Sequence, residues 1–289
     1  MNLQFWFFQL LNGLTFGALL FLVASGFTLI FGMMRIVNLT HGVLYLLGGY
    51  VGLSIIRATD NFLLGLVVAV LGMGLLGVGL DRTLIRRMRG NVLGEVLLTI
   101  GVAFIFADIA LMIWGGDPQG VPGPGFLAGA LDLGIMSYPS FRLFVLVVGL
   151  VVAIVLGLLL YKTKLGAVIR AGVDDSEMVG ALGINLDRVF TGVFLLGAML
   201  AGLAGVLGGG FLSLYRGADA DVLLFALVVV IIGGMGSLGG ALLGSLAVGL
   251  VDAIGKALYP DIAYFTLFGP MAIMLALRPR GLFGREMDG

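Results

Sequence analysis

"FWFFQLLNGLTFGALLFLVASGFTLIFGMM", residues 5–34, runs for about thirty residues without a charged side chain. At ~1.5 Å of rise per residue it is more than long enough for the ~30 Å hydrocarbon core of a bilayer, so it predicts a membrane-spanning helix. It is too long for a signal-peptide core and no basic segment precedes it, so it is expected to stay in place as a span. The rest of the chain agrees. Of 289 residues, 60% are hydrophobic and 11% charged, and the mean hydropathy of +1.18 exceeds what a hydrated protein surface sustains. Forty-nine glycines suit helices that approach closely or break. Lys plus Arg equals Asp plus Glu at 16 each, which gives no reason to expect a nucleic-acid partner. The absence of cysteine removes disulfides, thiolate zinc sites and cysteine nucleophiles.

Further apolar stretches of spanning or near-spanning length lie at about 42–56, 62–80, 92–114, 142–160, 190–214, 238–258 and 263–277. The run at 222–233 is short, and it predicts a half-helix that breaks at the glycines of "GGMGSLGG", 233–240. The expected fold is therefore an all-α integral membrane protein. It is a polytopic helical bundle of about 8–9 membrane segments, one of them broken or re-entrant near 222–240, forming one transmembrane domain over 1–289. The connecting segments divide by charge. Arg35, Arg82, Arg86, Arg87, Arg89, Lys162, Lys164, Arg170, Arg188, Arg278, Arg280 and Arg285 fall on one side if the spans alternate, which the positive-inside rule makes cytoplasmic. The N-terminus is then expected outside and the C-terminus inside. The outer loop at 115–141 holds four of the seven prolines and reads as a stiff cap or as a simple connection.

Catalytic motifs fail one by one. "GLVDAIGKA", 249–257, has five residues where a phosphate loop has four, ends in Ala257 and lies in a span. Ser237 in "MGSLG" follows Met235 where a nucleophile elbow needs glycine, and the sole imidazole, His41, is distant in sequence. No carboxylate or metal-ligand cluster has convincing spacing. Asp252 and Lys256, four apart, are expected to neutralise each other. Asp108, in "FIFADIALMIW", must face a wet cavity or find a donor near the outer interface.

The loop at 161–188, "YKTKLGAVIRAGVDDSEMVGALGINLDR", is too polar to span and predicts a helix of its own. Asp174 is a candidate N-cap with Glu177 completing a capping box, Met178, Val179 and Leu182 form an apolar stripe, and Gly183 supplies the stop. Such a helix rests on the membrane or docks into a protein, and its lack of a basic cluster favours docking. In "GAMLAGLAGVLGGG", small residues recur at i, i+4, which predicts close helix packing within or between chains.

Three stretches, 12–50, 165–207 and 231–252, together resemble the permease subunits of branched-chain amino acid ABC importers. The Asn38, His41, Gly42 element is similar to the H-type member of the permease pair. The resemblance implies an M-type sister permease, two cytoplasmic ATP-binding subunits that hold ATP and magnesium, an extracytoplasmic substrate-binding protein and a small amino-acid substrate. No cofactor is expected in this chain. The segment with Asp174, Glu177, Met178, Val179, Leu182 and Gly183 matches the family's ATPase-contacting element, in the cytoplasmic membrane of a bacterial-type cell.

Transporters place interrupted helices near the membrane midplane. By that logic, Asn38, Thr40, His41 and Gly42 are candidates for one side of a translocation pathway, with Gly236, Ser237 and Gly239 facing them. The alternative is an inner loop whose polar groups only satisfy helix ends. Related importers for amides, urea or aromatic acids fit the same residues. An ion-coupled transporter or channel would have only Asp108 and His41 for its coupling site, and a purely structural protein would rest on the glycine packing alone.

Overall fold

A computed structural model describes residues 3–34, 37–134, 136–278 and 281–283. Arg35, Arg280 and Arg285, three of the charges used for the sidedness reading, lie outside these. The long helices are α1 (Leu3–Met34), α2 (Thr40–Thr59), α3 (Phe62–Thr83), α4 (Val92–Trp114) and α5 (Ser140–Lys162). Two short strands, β1 (Ala130–Asp132) and β2 (Ser137–Pro139), pair antiparallel before α5. Then follow α6 (Lys164–Asp174), α7 (Ser176–Ala181), α8 (Leu186–Phe211), α9 (Ala218–Gly233), α10 (Leu238–Leu258) and α11 (Ala263–Leu277). Among the described residues seven helices are long and apolar enough to cross a bilayer, and α9 and α11 are shorter apolar helices. The chain is an all-α, multi-pass membrane protein.

Helix boundaries follow local chemistry. Asn61, Asn91, Thr163, Asn185 and Ser237 each accept a hydrogen bond from the backbone N–H three residues on, capping α3, α4, α6, α8 and α10. The glycine break after α9 is as expected: Gly234 and Gly236 have φ of +99° and +77°, and Ser237 restarts the chain as α10. The cap of α7 is displaced from the sequence expectation. Asp175, not Asp174, accepts from Met178 N–H at 2.9 Å, and Asp174 is the last residue of α6. The segment 161–188 accordingly holds two helices instead of one, because the Thr163 cap starts α6 within it.

α1 occupies the centre of the bundle. Gly13 and Gly17 pack on the backbone of α10 near Gly249 and Ser245, and Gly26 packs on Gly197 of α8. The small-residue stripe of α8 is used within the chain. Gly202 meets Gly48 of α2 and Ala69 and Met73 of α3, and Gly205 meets the backbone of Tyr45 and Gly49. By contrast α3, α4 and α5 bury only one edge. Asp252 and Lys256 pair at 2.8 Å along α10, as their spacing suggested. The 115–139 segment is fastened to the end of α8 by paired backbone hydrogen bonds between Gln119 and Leu214 and by Val121 N–H to Gly209 O at 3.1 Å.

Candidate functional site

Asn38, Thr40 and His41 are buried where α2 begins. Asn38 Oδ1 accepts from the Thr40 N–H at 3.1 Å and from the Thr40 hydroxyl at 2.6 Å, pairing the first N–H of α2. His41 lies edge-on to Phe27, and its Nε2 is 3.0 Å from the Val23 carbonyl. That carbonyl can only accept, so Nε2 carries the proton. Among the described residues, Asn38 Nδ2 and His41 Nδ1 are buried without a hydrogen-bond partner. Val23 lies about 16 Å back along α1 from Met34 at ~1.5 Å per residue, so α2 starts deep within the bundle.

A second helix start meets it there. The position a Cβ would occupy on Gly42 is 2.2 Å from the carbonyl oxygen of Asp219, the second residue of α9, so only glycine permits the approach. Two helix starts, their first N–H groups paired locally, are thus brought together inside the membrane-spanning bundle. On the side facing the proline-rich loop, a small cleft between α2 and α4 is lined by Leu46, Tyr50, Leu111, Arg216 and Asp219. Arg216 and Asp219 put a cation and a carboxylate at its edge.

Gly236, Ser237 and Gly239 lie elsewhere. Gly236 N–H donates to Thr28 Oγ1 at 3.2 Å, and its backbone lies against Gly32 and Val173 of α6. Val23, Gly26 and Phe27, which meet His41, and Thr28 and Gly32, which meet Gly236, fall on roughly opposite sides of α1 at 3.6 residues per turn. The expectation that the two stretches face one another directly is therefore corrected: α1 runs between them. Ser237 Oγ caps α10 through Gly240 N–H at 3.0 Å.

In α7, Val179 is buried while Met178 and Leu182 are 58% and 72% exposed, and Gly183 ends the helix at φ +80°. Glu177 is exposed beside them. The apolar stripe is therefore split into an anchor and an outward pair. Asp108 is also exposed, on α4.

An ionic cluster that sequence reasoning missed ties the basic end together. Asp81, fully buried, accepts from Arg89 and from Thr191 Oγ1 at 2.6 Å, and Asp187 accepts from Arg86 and from Arg89 Nη1 at 2.7 Å. Arg89 also stacks over Phe190. The signal was the pairing of Asp81 and Asp187 with arginines that had been counted only for sidedness. Asp81→Ala leaves Arg89 partly uncompensated in a buried setting and is expected to cost about 3 kcal/mol. The check is the thermal midpoint in detergent, with Asp81→Asn, which keeps an acceptor for Thr191, losing less.

The family model for the permease component of branched-chain amino acid transport systems matches residues 9–277. The chain is 29% identical to the high-affinity branched-chain amino acid transport system permease protein BraD of Pseudomonas aeruginosa, covering 96% of this chain and 95% of that one. It is also 29% identical to the corresponding permease LivH of Escherichia coli, over 99% and 98% of the two chains. A relative of different printed cargo, the L-arabinose ABC transporter permease protein AraH of Azospirillum brasilense, is 28% identical over 83% of this chain and 71% of its own length. No solved structure matches the chain.

Proposed function

Since the chain belongs to the family of permease components of branched-chain amino acid transport systems, we propose that it is the H-type membrane subunit of an ATP-driven importer of branched-chain or other small amino acids. The observation that carries this reading is the family match over residues 9–277, together with a short exposed helix, α7, at the basic end. In this reading the basic end is cytoplasmic, the membrane is the bacterial-type inner membrane, and the N-terminus is outside. The chain pairs with an M-type sister permease and receives substrate from an extracytoplasmic binding protein. Two ATPase subunits, which hold ATP and magnesium, dock on Met178, Leu182 and Glu177, with Asp174, Asp175, Val179 and Gly183 holding that helix in shape.

The cleft beside Arg216 and Asp219 is the entry, because its opposite charges suit the carboxylate and ammonium groups of a zwitterion. Below it, Asn38, Thr40, His41 and Gly42 form the wall where α2 and α9 begin, lined by polar side chains and close-packed backbone. Gly236 and Ser237 form the backbone break at the cytoplasmic end of α1, with Gly239 in the first turn of α10 beside it, a place for a gate.

The test is purification of the tagged chain in mild detergent, followed by uptake in vesicles. The expected result is a sister permease and ATPases in the purified fraction, and uptake that requires internal ATP. Purification of the chain alone, with uptake driven by an ion gradient, would overturn the reading. Arg216→Gln is expected to raise the substrate concentration for half-maximal uptake roughly 3- to 10-fold, with subunit composition unchanged.

A further inference from the structure

Around α4 the residues divide into two sides. Glu95, Thr99, Val102 and Ala110 are buried against the bundle. At 3.6 residues per turn Asp108 points about 160° away from the middle of that edge. It makes no hydrogen bond or ion pair within the chain among the described residues. Gly101, Ile105 and Met112 share its line along the helix. Ile105 and Met112 are 60% and 85% exposed, and a Cβ on Gly101 would meet nothing within 4 Å. Trp114 is about 9 Å farther along the axis, so the carboxylate sits within the hydrocarbon thickness of a ~30 Å core. A charge there is costly against lipid, whereas the exposed face of α5, with Val147, Leu150, Val151, Ile154 and Leu158, is wholly apolar and suits it.

We infer that the outward face of α4 is the seat of a membrane-spanning helix of the sister permease, which packs against Gly101 and brings a hydrogen-bond donor to Asp108. The inference rests on the reading of the chain as one of a permease pair. A second copy of this chain is a poor occupant, because a two-fold contact centred on Asp108 would oppose two carboxylates at low dielectric. A distinct subunit bearing a donor satisfies both the charge and the open glycine.

The test uses the assembled complex in native membranes. A photoreactive benzophenone amino acid is placed at Ile105 or Met112 on α4, and at Ile154 or Leu158 on α5 for comparison. The expected result is a covalent adduct with the sister subunit from the α4 positions and none from the α5 positions. Asp108→Leu is expected to reduce the sister recovered with the tagged chain on the order of tenfold, and Asp108→Asn, which keeps an acceptor, to spare most of it. A sister that copurifies with the unsubstituted chain while Ile105 and Met112 capture only lipid overturns the inference and leaves the functional reading standing. Adducts between two copies of this chain overturn the choice of partner. Absence of any sister from the unsubstituted complex overturns the functional reading and this inference with it.

Discussion

With Glu177→Lys and Leu182→Asp together in α7, the ATPase subunits are expected to be lost from the purified complex and ATP-dependent uptake to fall to background. α7 has only six residues and does not hold itself together by helix propensity. It is held by the Asp175 cap, by Val179 buried beneath it and by the Gly183 stop. That leaves Met178 and Leu182 directed outward as apolar surface. Burying one leucine contributes about 1.5–3 kcal/mol, and placing a carboxylate in the same apolar seat costs more than the lost burial. A combined penalty above ~4 kcal/mol weakens docking at least ~1000-fold. Both substituted side chains are exposed in the free chain, so its amount in the membrane should be close to normal. Equal loss of the chain itself would place the effect in folding and remove α7 from the docking role.

The second large effect is expected from Gly205→Ala, which should sharply reduce the folded chain recovered in detergent. A Cβ there would lie 2.0 Å from the Tyr45 carbonyl oxygen and 2.7 Å from the Gly49 nitrogen. Both are backbone atoms of α2, so no rotamer change relieves the clash and the helices must separate. Overpacking relieved by side-chain movement costs about 1–3 kcal/mol, and a backbone contact lies above that range. Gly72→Ala on α3 is the control. Nothing lies within 4 Å of its added methyl, and the gain in helix propensity is up to ~1 kcal/mol. If the two variants are recovered equally, the α2–α8 contact is not what holds the bundle together.

How much of this was legible in the sequence depended on the range of the interaction. The spans were legible because lipid imposes length and apolarity on each segment by itself. The break after Gly233 was legible because a short apolar run next to clustered glycines has few other solutions. The Asp175 cap was missed by one residue, since "VDDSEM" offers two adjacent carboxylates and the choice depends on where α6 ends. The partner of His41 was not legible at all. It is the Val23 backbone carbonyl, an atom every residue carries, and only the packing of α1 against α2 selects it. The insertion of α1 between the two glycine-bearing stretches, and the Asp81–Arg89–Asp187 cluster, were hidden for the same reason: each joins segments far apart in the chain.

The contacts of α8 with α2 and α3 have a mechanical side. Where backbone touches backbone there are no rotamers to yield, so α2, α3 and α8 make a block of low compliance. α7 sits at its foot, with a Cβ on Gly180 only 3.3 Å from Leu186 at the start of α8. Force applied at that foot has little slack to take up before it reaches Gly42 and the start of α9. Under the proposed docking of ATPases on α7, the stroke delivered there is set by how far α7 is moved, and softening any one glycine contact should shorten it.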